Sequence, residues 1–433
     1  MKKITAFIMA LVMCAITAVI TFQVTMISTD RYVGECEGQQ GTSAPAKSDL
    51  DAYIDGTYIT KELLDKLKEV AGLYNRYYVD PIDHEYFTDY LMAGFIAGAK
   101  DQFGYYVNAN DYEDTQNDMN GEFYGIGVQV TYNDSFSAIE VLTVYRDSPA
   151  FEAGLLPWDL IVAIDGVPVS ELGFDESVNR MRGSEGTIAK FTVCRAPDYS
   201  EEIEFSVSRR KVTEITADWR MYSKTDNIAV ISISGFDKKT PEQFFAAINA
   251  ALGAGAKGFV YDVRSNPGGN LDAVCDILDF LLPEGPIIRI DQKGEENDYA
   301  ISSKPDYFNY PSVVLCNQYT ASAGELFSSA MQDYKMAKLV GVQTFGKGTM
   351  QYVIDLSDGS GVAITCAYYL PPFSPNFHGV GVAPDIVAEL PDELKNINVL
   401  KLTDNQDTQL AVAVGTLLNE MNKSGSIGGT TTK

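Results

Sequence analysis

From Ile228 onward the chain alternates between two hydrophobic periods, and this alternation limits the fold more than any other feature. Ile228-Ala-Val-Ile-Ser-Ile, Gly258-Phe-Val-Tyr-Asp-Val-Arg and Ser312-Val-Val-Leu-Cys are short β-branched runs suited to buried strands. Residues 241–254, 271–282 and 321–334 follow them with helical spacing. Strands that alternate with helices predict an α/β layer. Residues 351–356 and 361–369 flank Asp358-Gly-Ser-Gly and predict a hairpin. An amphipathic helix is predicted over 408–421, and the Gly/Ser/Thr-rich end, 424–433, has too little apolar surface to pack.

Upstream, the period is different again. Between residues 119 and 212 the pattern alternates in twos, as in Gly127-Val-Gln-Val-Thr-Tyr and Ile139-Glu-Val-Leu-Thr-Val, and predicts a compact β-rich module with a short helix over 176–182. Two helical patterns, 59–78 and 86–103, are separated by Val79-Asp80-Pro81, which stops the first. Residues 4–28 carry no charge and follow Lys2 and Lys3, a pattern that predicts an uncleaved single-pass anchor with the body outside the cytoplasm; a cleaved signal peptide is the rival reading. The polar stretch 29–57 reads as a linker.

Charge and composition remove several function classes. With 33 basic and 59 acidic residues the formal net charge is −26, which repels phosphate backbones and excludes nucleic acid as a partner. Six cysteines form no C-x-x-C pair, so neither a zinc ribbon nor a dithiol redox site is expected. His84 and His378 are the only histidines. A Ser-His-Asp hydrolase or a histidine metal site must use one of them, and no metal or cofactor is expected.

Three constellations carry chemistry. In Tyr319-Thr-Ala-Ser322-Ala-Gly-Glu325 a serine follows a strand and opens a helix, where the Ala323 N–H has no intrahelical partner and can meet an oxyanion. The same Ser-x-x-Glu spacing also serves as a helix capping box. In Phe345-Gly-Lys347-Gly-Thr-Met-Gln351 a lysine stands between two glycines with an amide four residues on. A lysine becomes a base only when burial brings its pKa down from about 10.4, whereas most lysines are solvated surface charges. In Arg264-Ser-Asn-Pro-Gly268-Gly269 a strand ends in a turn whose glycines let a backbone N–H approach a ligand, or simply allow the chain to turn.

Taken together with Tyr124-Gly-Ile-Gly127, Ser148-Pro-Ala-Phe-Glu-Ala-Gly154, Arg182-Gly-Ser-Glu-Gly-Thr187 and Gly379-Val-Gly-Val-Ala-Pro-Asp385, these motifs resemble the carboxy-terminal processing peptidases, or tail-specific proteases, over residues 58–418. The resemblance implies a multidomain α/β (α+β) chain with a crotonase- and Clp-like ββα core, an inserted PDZ domain and a helical N-terminal region. Its domains would be an anchor (1–28), linker (29–57), helical region (58–118), PDZ domain (119–212), serine peptidase core (213–395) and C-terminal helix with tail (396–433). It further implies Ser322 as nucleophile, Lys347 as general base and Gln351 as the residue orienting the lysine. Ala323 and one of Gly268 and Gly269 would supply the oxyanion donors. Tyr124, Gly125, Ile126 and Gly127 would hold a protein's C-terminal carboxylate while the tail adds as a strand, and Arg182 would couple that capture to catalysis. The expected partners are proteins with accessible apolar C-terminal tails, the membrane through the anchor, and a second copy of the chain. The alternatives are a non-catalytic membrane-anchored PDZ scaffold and a Ser-His hydrolase using His378. Leu370-Pro-Pro-Phe-Ser-Pro-Asn departs from the family pattern beside the core.

Overall fold

The computed structural model describes residues 59–423 apart from 197, 226, 293–298 and 396. These form two compact units, one of residues 114–350 and 366–423, the other of residues 59–113 and 351–365.

The first unit begins with an antiparallel sheet of Val128–Asn133, Ala138–Val144, Leu160–Ile164, Ile188–Cys194 and Glu202–Ser208 in that spatial order, with Val167–Pro168 pairing onto Leu160–Ile164. A short ribbon, Glu122–Gly125 against Arg210–Thr213, ties its two ends. Alternate residues Ile139, Val141, Ile161, Phe191 and Val193 face a core closed by Val169–Met181 and Pro149–Ala153. The shorter helix has clear local causes. Ser148 caps it by accepting from the Phe151 N–H, Pro149 presets its first turn, and Gly154 ends it in the left-handed region. Val169–Met181 is longer than the spacing suggested because it includes Gly173, where the backbone leaves helical geometry (φ 75°) and kinks.

The rest of this unit is a six-stranded sheet ordered Ala217–Met221, Ile228–Ile233, Gly258–Asp262, Ser312–Cys316, Ala337–Gly341 and Ile386–Val387. Only the first pairing is antiparallel. Helices cover both faces, so the central strands are buried along nearly their whole length. Val230, Val260, Val313, Leu315 and Val340 pack against Leu410, Ala413, Val414 and Leu417 of the helix Thr408–Lys423. Phe259 and Tyr261, which flank Val260 in sequence, point the other way, where Tyr261 meets Phe244 and Phe327 at 5.8 and 5.9 Å.

In the second unit, Lys61–Tyr77 is capped by Thr60 and His84–Ala99 by Asp83, and neither helix buries a residue. The second helix starts earlier than its apolar spacing suggested because the Asp83 carboxylate accepts from Glu85 and Tyr86 N–H groups. It ends earlier because Lys100 turns left-handed at φ 60°. Tyr105–Val107 then pairs antiparallel with residues 361–363 of the hairpin.

The expectation of a single-pass membrane protein is corrected here. Among the described residues no helix is long and apolar enough to cross a membrane. Residues 4–28, on which that expectation rested, lie outside the described residues.

Leu417 exposes none of its surface within the cluster beneath the sheet. Leu417→Ala is expected to lower unfolding stability by about 2–5 kcal/mol, measured by urea titration.

Candidate active site

Ser322 lies between the strand Ser312–Cys316 and the helix Ala323–Asp333, with φ 54° and ψ −120°. A serine at positive φ is strained, and persists only where its surroundings hold it. The neighbouring loops supply that hold. Asn317 accepts from the Ser265 and Tyr319 N–H groups, and the Asn266 carbonyl accepts from the Ala321 N–H at 2.9 Å. Thr320 donates to the Val263 carbonyl at 2.8 Å. The two turns are therefore laced together beneath the serine.

The glycine turn approaches as closely as its residue type permits. A Cβ on Gly268 (φ 108°) would fall 2.6 Å from the Ser322 Cβ and 2.9 Å from the Ala323 nitrogen, and one on Gly269 (φ 133°) 1.9 Å from the Phe236 carbonyl oxygen. The Gly268 N–H already donates to Asn266 Oδ1 at 2.8 Å. Arg264, at the start of this turn, is buried and bonded to both carboxylate oxygens of Asp262 and of Asp407. Burial works against its charge, but the two carboxylates outweigh burial and hold the guanidinium protonated.

Glu325 organises the site and went unrecognised in the sequence beyond its place in a capping box. Its carboxylate exposes no surface. Oε2 accepts from the Ser322 N–H at 3.0 Å and from the Lys347 N–H at 2.8 Å; Oε1 accepts from the Gly346 N–H at 2.6 Å and the Thr344 hydroxyl at 2.5 Å. One oxygen thus gathers the backbones of residues 25 apart in sequence (347 − 322). Burial raises the carboxyl's pKa, and these four donors offset only part of that rise.

Tyr369 is a second residue that the motifs did not reveal. Its buried hydroxyl donates to the Lys347 carbonyl at 2.7 Å. Burial raises its pKa, Glu325 adds to the rise, and the neighbouring Ser322 side chain opposes it. Lys347 itself is 2% exposed. His378, the rival base, sets its ring edge-on to Tyr368 at 5.4 Å, and burial lowers its pKa. Gln351 belongs to the other unit, where its Nε2 donates to Thr365 Oγ1 at 3.4 Å.

The β-rich module holds a cavity of about 200 Å³. Ile126, Val128, Phe174, Val178 and Met181 give it apolar walls, and Gly125, Gly127 and Arg182 line it as well. Gly127 has φ 84°, and a Cβ there would sit 2.3 Å from the Ser148 Cβ. Tyr124 stays in the ribbon opposite Lys211 and accepts from the Gly183 N–H. The Arg182 guanidinium lies over the Phe123 ring at 5.9 Å.

Residues 227–388 match peptidase family S41, and residues 140–195 match a PDZ domain. A carboxyl-terminal-processing protease of Synechocystis sp. is 32% identical over 348 residues, covering 80% of each chain. The carboxy-terminal processing protease CtpA of Bacillus subtilis is 30% identical over 332 residues, 76% of this chain and 70% of that one. A putative S41 protease structure from Bacteroides fragilis superposes with a TM-score of 0.52 at 14% identity, covering 87% of this chain and all (100%) of that one. The mixed α/β architecture with a PDZ domain and a helical N-terminal region is as the motifs implied.

Replacing Glu325 by Gln keeps the shape but turns one acceptor into a donor facing N–H groups. Glu325→Gln is expected to lower stability by about 2–3 kcal/mol and peptidase kcat/KM at least roughly tenfold, read by thermal unfolding and a peptide-cleavage assay.

Proposed function

Because this chain belongs to the carboxyl-terminal-processing proteases of peptidase family S41, and is therefore a serine-type peptidase with a PDZ domain, we propose that it captures C-terminal protein tails and cleaves with Ser322 and Lys347. The observation that carries this reading is the shared Glu325 oxygen, which accepts from the backbones of both residues. His378 is not among the groups that Glu325 holds, so the base is assigned to Lys347.

Burial disfavours an ammonium, and an uncharged lysine amine can accept a proton. Lys347 Nζ takes the Ser322 hydroxyl proton as Oγ bonds to the substrate carbonyl carbon. The carbonyl oxygen gains negative charge between the Ala323 and Gly269 N–H groups. Gly269 is assigned this role over Gly268 because the Gly268 N–H is engaged by Asn266. When the C–N bond breaks, the leaving amine takes the proton from Lys347. Water then gives a proton to Lys347 and its oxygen to the acyl carbon, and the ester bond breaks with Ser322 regaining its proton.

Tail capture uses the apolar cavity beside Gly125–Gly127. A side chain of a C-terminal residue fills it, the terminal carboxylate meets the N–H groups of that loop, and Arg182 at the rim responds to the added charge.

Ser322→Ala and Lys347→Ala are each expected to reduce cleavage of a peptide ending in an apolar residue by roughly 10³-fold or more, and a fully active Lys347→Ala enzyme would contradict the assignment. Amidating the peptide's C-terminus removes a charge-assisted contact and is expected to slow cleavage about tenfold; equal rates for acid and amide would contradict capture of the carboxylate.

A further inference from the structure

Lys347 stands between two glycines, and each glycine has a steric reason. A Cβ on Gly348 would lie 2.4 Å from Asn376 Oδ1 and 3.1 Å from the His378 nitrogen. One on Gly346, whose φ is 97°, would lie 3.0 Å from the Val380 and Gly381 nitrogens. The segment 376–381 therefore packs directly on the lysine loop. The cost is freedom, because glycines rotate readily and leave the residue between them without local restraint. A buried base has to be aimed, so its restraint must come from outside the loop.

That restraint comes from both sides of the residue. The Lys347 N–H donates to Glu325 Oε2 at 2.8 Å. The Lys347 carbonyl accepts from the Tyr369 hydroxyl at 2.7 Å. The next carbonyl, that of Gly348, accepts from the Tyr369 N–H at 3.2 Å and from Asn376 Nδ2 at 3.3 Å. Peptide groups are planar, so a bond to the N–H constrains the plane before the Lys347 Cα, and a bond to the carbonyl constrains the plane after it. Together the two planes set φ and ψ of Lys347, and with them the direction of its Cα–Cβ bond. Tyr369 is itself well anchored. It pairs with Ile290 of the strand Gly285–Gln292, is 1% exposed, and meets the Phe377 ring edge-on at 5.6 Å. Tyr368, next to it in the strand, faces the other way and is half-exposed. All of these residues belong to one compact unit.

We propose that Tyr369 is a positioning residue for the peptidase reaction: its hydroxyl completes, from the carbonyl side, the main-chain clamp that aims Lys347. The inference rests on the role of base given to Lys347 above. Glu325 alone holds only the plane before the residue. Without the Tyr369 hydroxyl, the plane after it can rotate about the Gly348 side, and the amine swings with it.

The test is made on the full chain. Tyr369→Phe keeps the ring and removes the donor. It is expected to lower kcat roughly tenfold or more with KM changed less than about twofold, because a displaced amine spoils proton transfer and leaves substrate binding alone. Tyr369→p-aminophenylalanine, which carries an N–H donor at the same end of the ring, is expected to hold kcat within roughly fivefold of the parent. A second readout separates aiming from general stabilisation. A loosened lysine gains water, which favours its ammonium form, so the ascending limb of kcat against pH is expected to move to higher pH in Tyr369→Phe. Parental kcat and pH profile in Tyr369→Phe, beside an inactive Lys347→Ala, would overturn the inference and leave the base assignment standing. Full activity in Lys347→Ala would overturn both. Equal losses in the two Tyr369 variants, or a fall in kcat with the limb in place, would reduce Tyr369 to packing and also overturn the inference. If thermal unfolding shows Tyr369→Phe to be misfolded, Tyr369→p-aminophenylalanine decides alone: kcat within roughly fivefold of the parent supports the donor, and a larger loss rejects it.

Discussion

The buried Glu325 carboxylate is the interaction on which the site depends. A charged group removed from water is costly unless each lone pair finds a donor, and Glu325 meets four: Ser322, Thr344, Gly346 and Lys347. Because three of these are backbone N–H groups, the carboxylate fixes main chain rather than mobile side-chain tips. It also offsets the strain at Ser322, whose positive φ turns its N–H toward Oε2. The helix start and the lysine loop therefore cannot shift independently without stranding a buried charge.

A second brace works from below the sheet. Arg264 joins Asp262, at the end of one strand, to Asp407 and Gln409, at the start of the last helix. The turn leading to Gly268 and Gly269 is thus held between the strand it leaves and the C-terminal helix, whose own face is buried against the sheet. Removing one partner of such a buried ion cluster leaves an uncompensated charge, so the C-terminal helix bears on the geometry of the glycine turn as well as on the core. Ser322 exposes no surface in this arrangement.

Much of this was legible in the sequence because it is local. Period switching marked the strands and helices, and Ser-x-x-Glu marked a helix start at Ser322. The glycine pair at 268–269 suggested a close backbone approach, and a side chain on Gly268 would place its Cβ only 2.6 Å from the Ser322 Cβ. Contacts between distant segments left no comparable trace. Nothing in Ser-x-x-Glu says that the glutamate also accepts from residues 19 to 22 positions on. Tyr369 reads as an ordinary strand tyrosine, and Asp101 reaches Thr365 across 264 residues. One Glu325 oxygen serves both the capping box at Ser322 and the backbone of Lys347, so a single carboxylate holds the helix start and the lysine loop.

The measurement that bears most directly on this account is a crystal structure of the enzyme with a peptide boronate bonded covalently to Ser322, standing in for the tetrahedral intermediate. The account expects Lys347 Nζ within about 3.2 Å of Ser322 Oγ, a boronate oxygen between the Ala323 and Gly269 nitrogens, and Glu325 still accepting from both backbones. A bound boronate with Lys347 Nζ beyond hydrogen-bond reach of Oγ, or with His378 in its place, would contradict it.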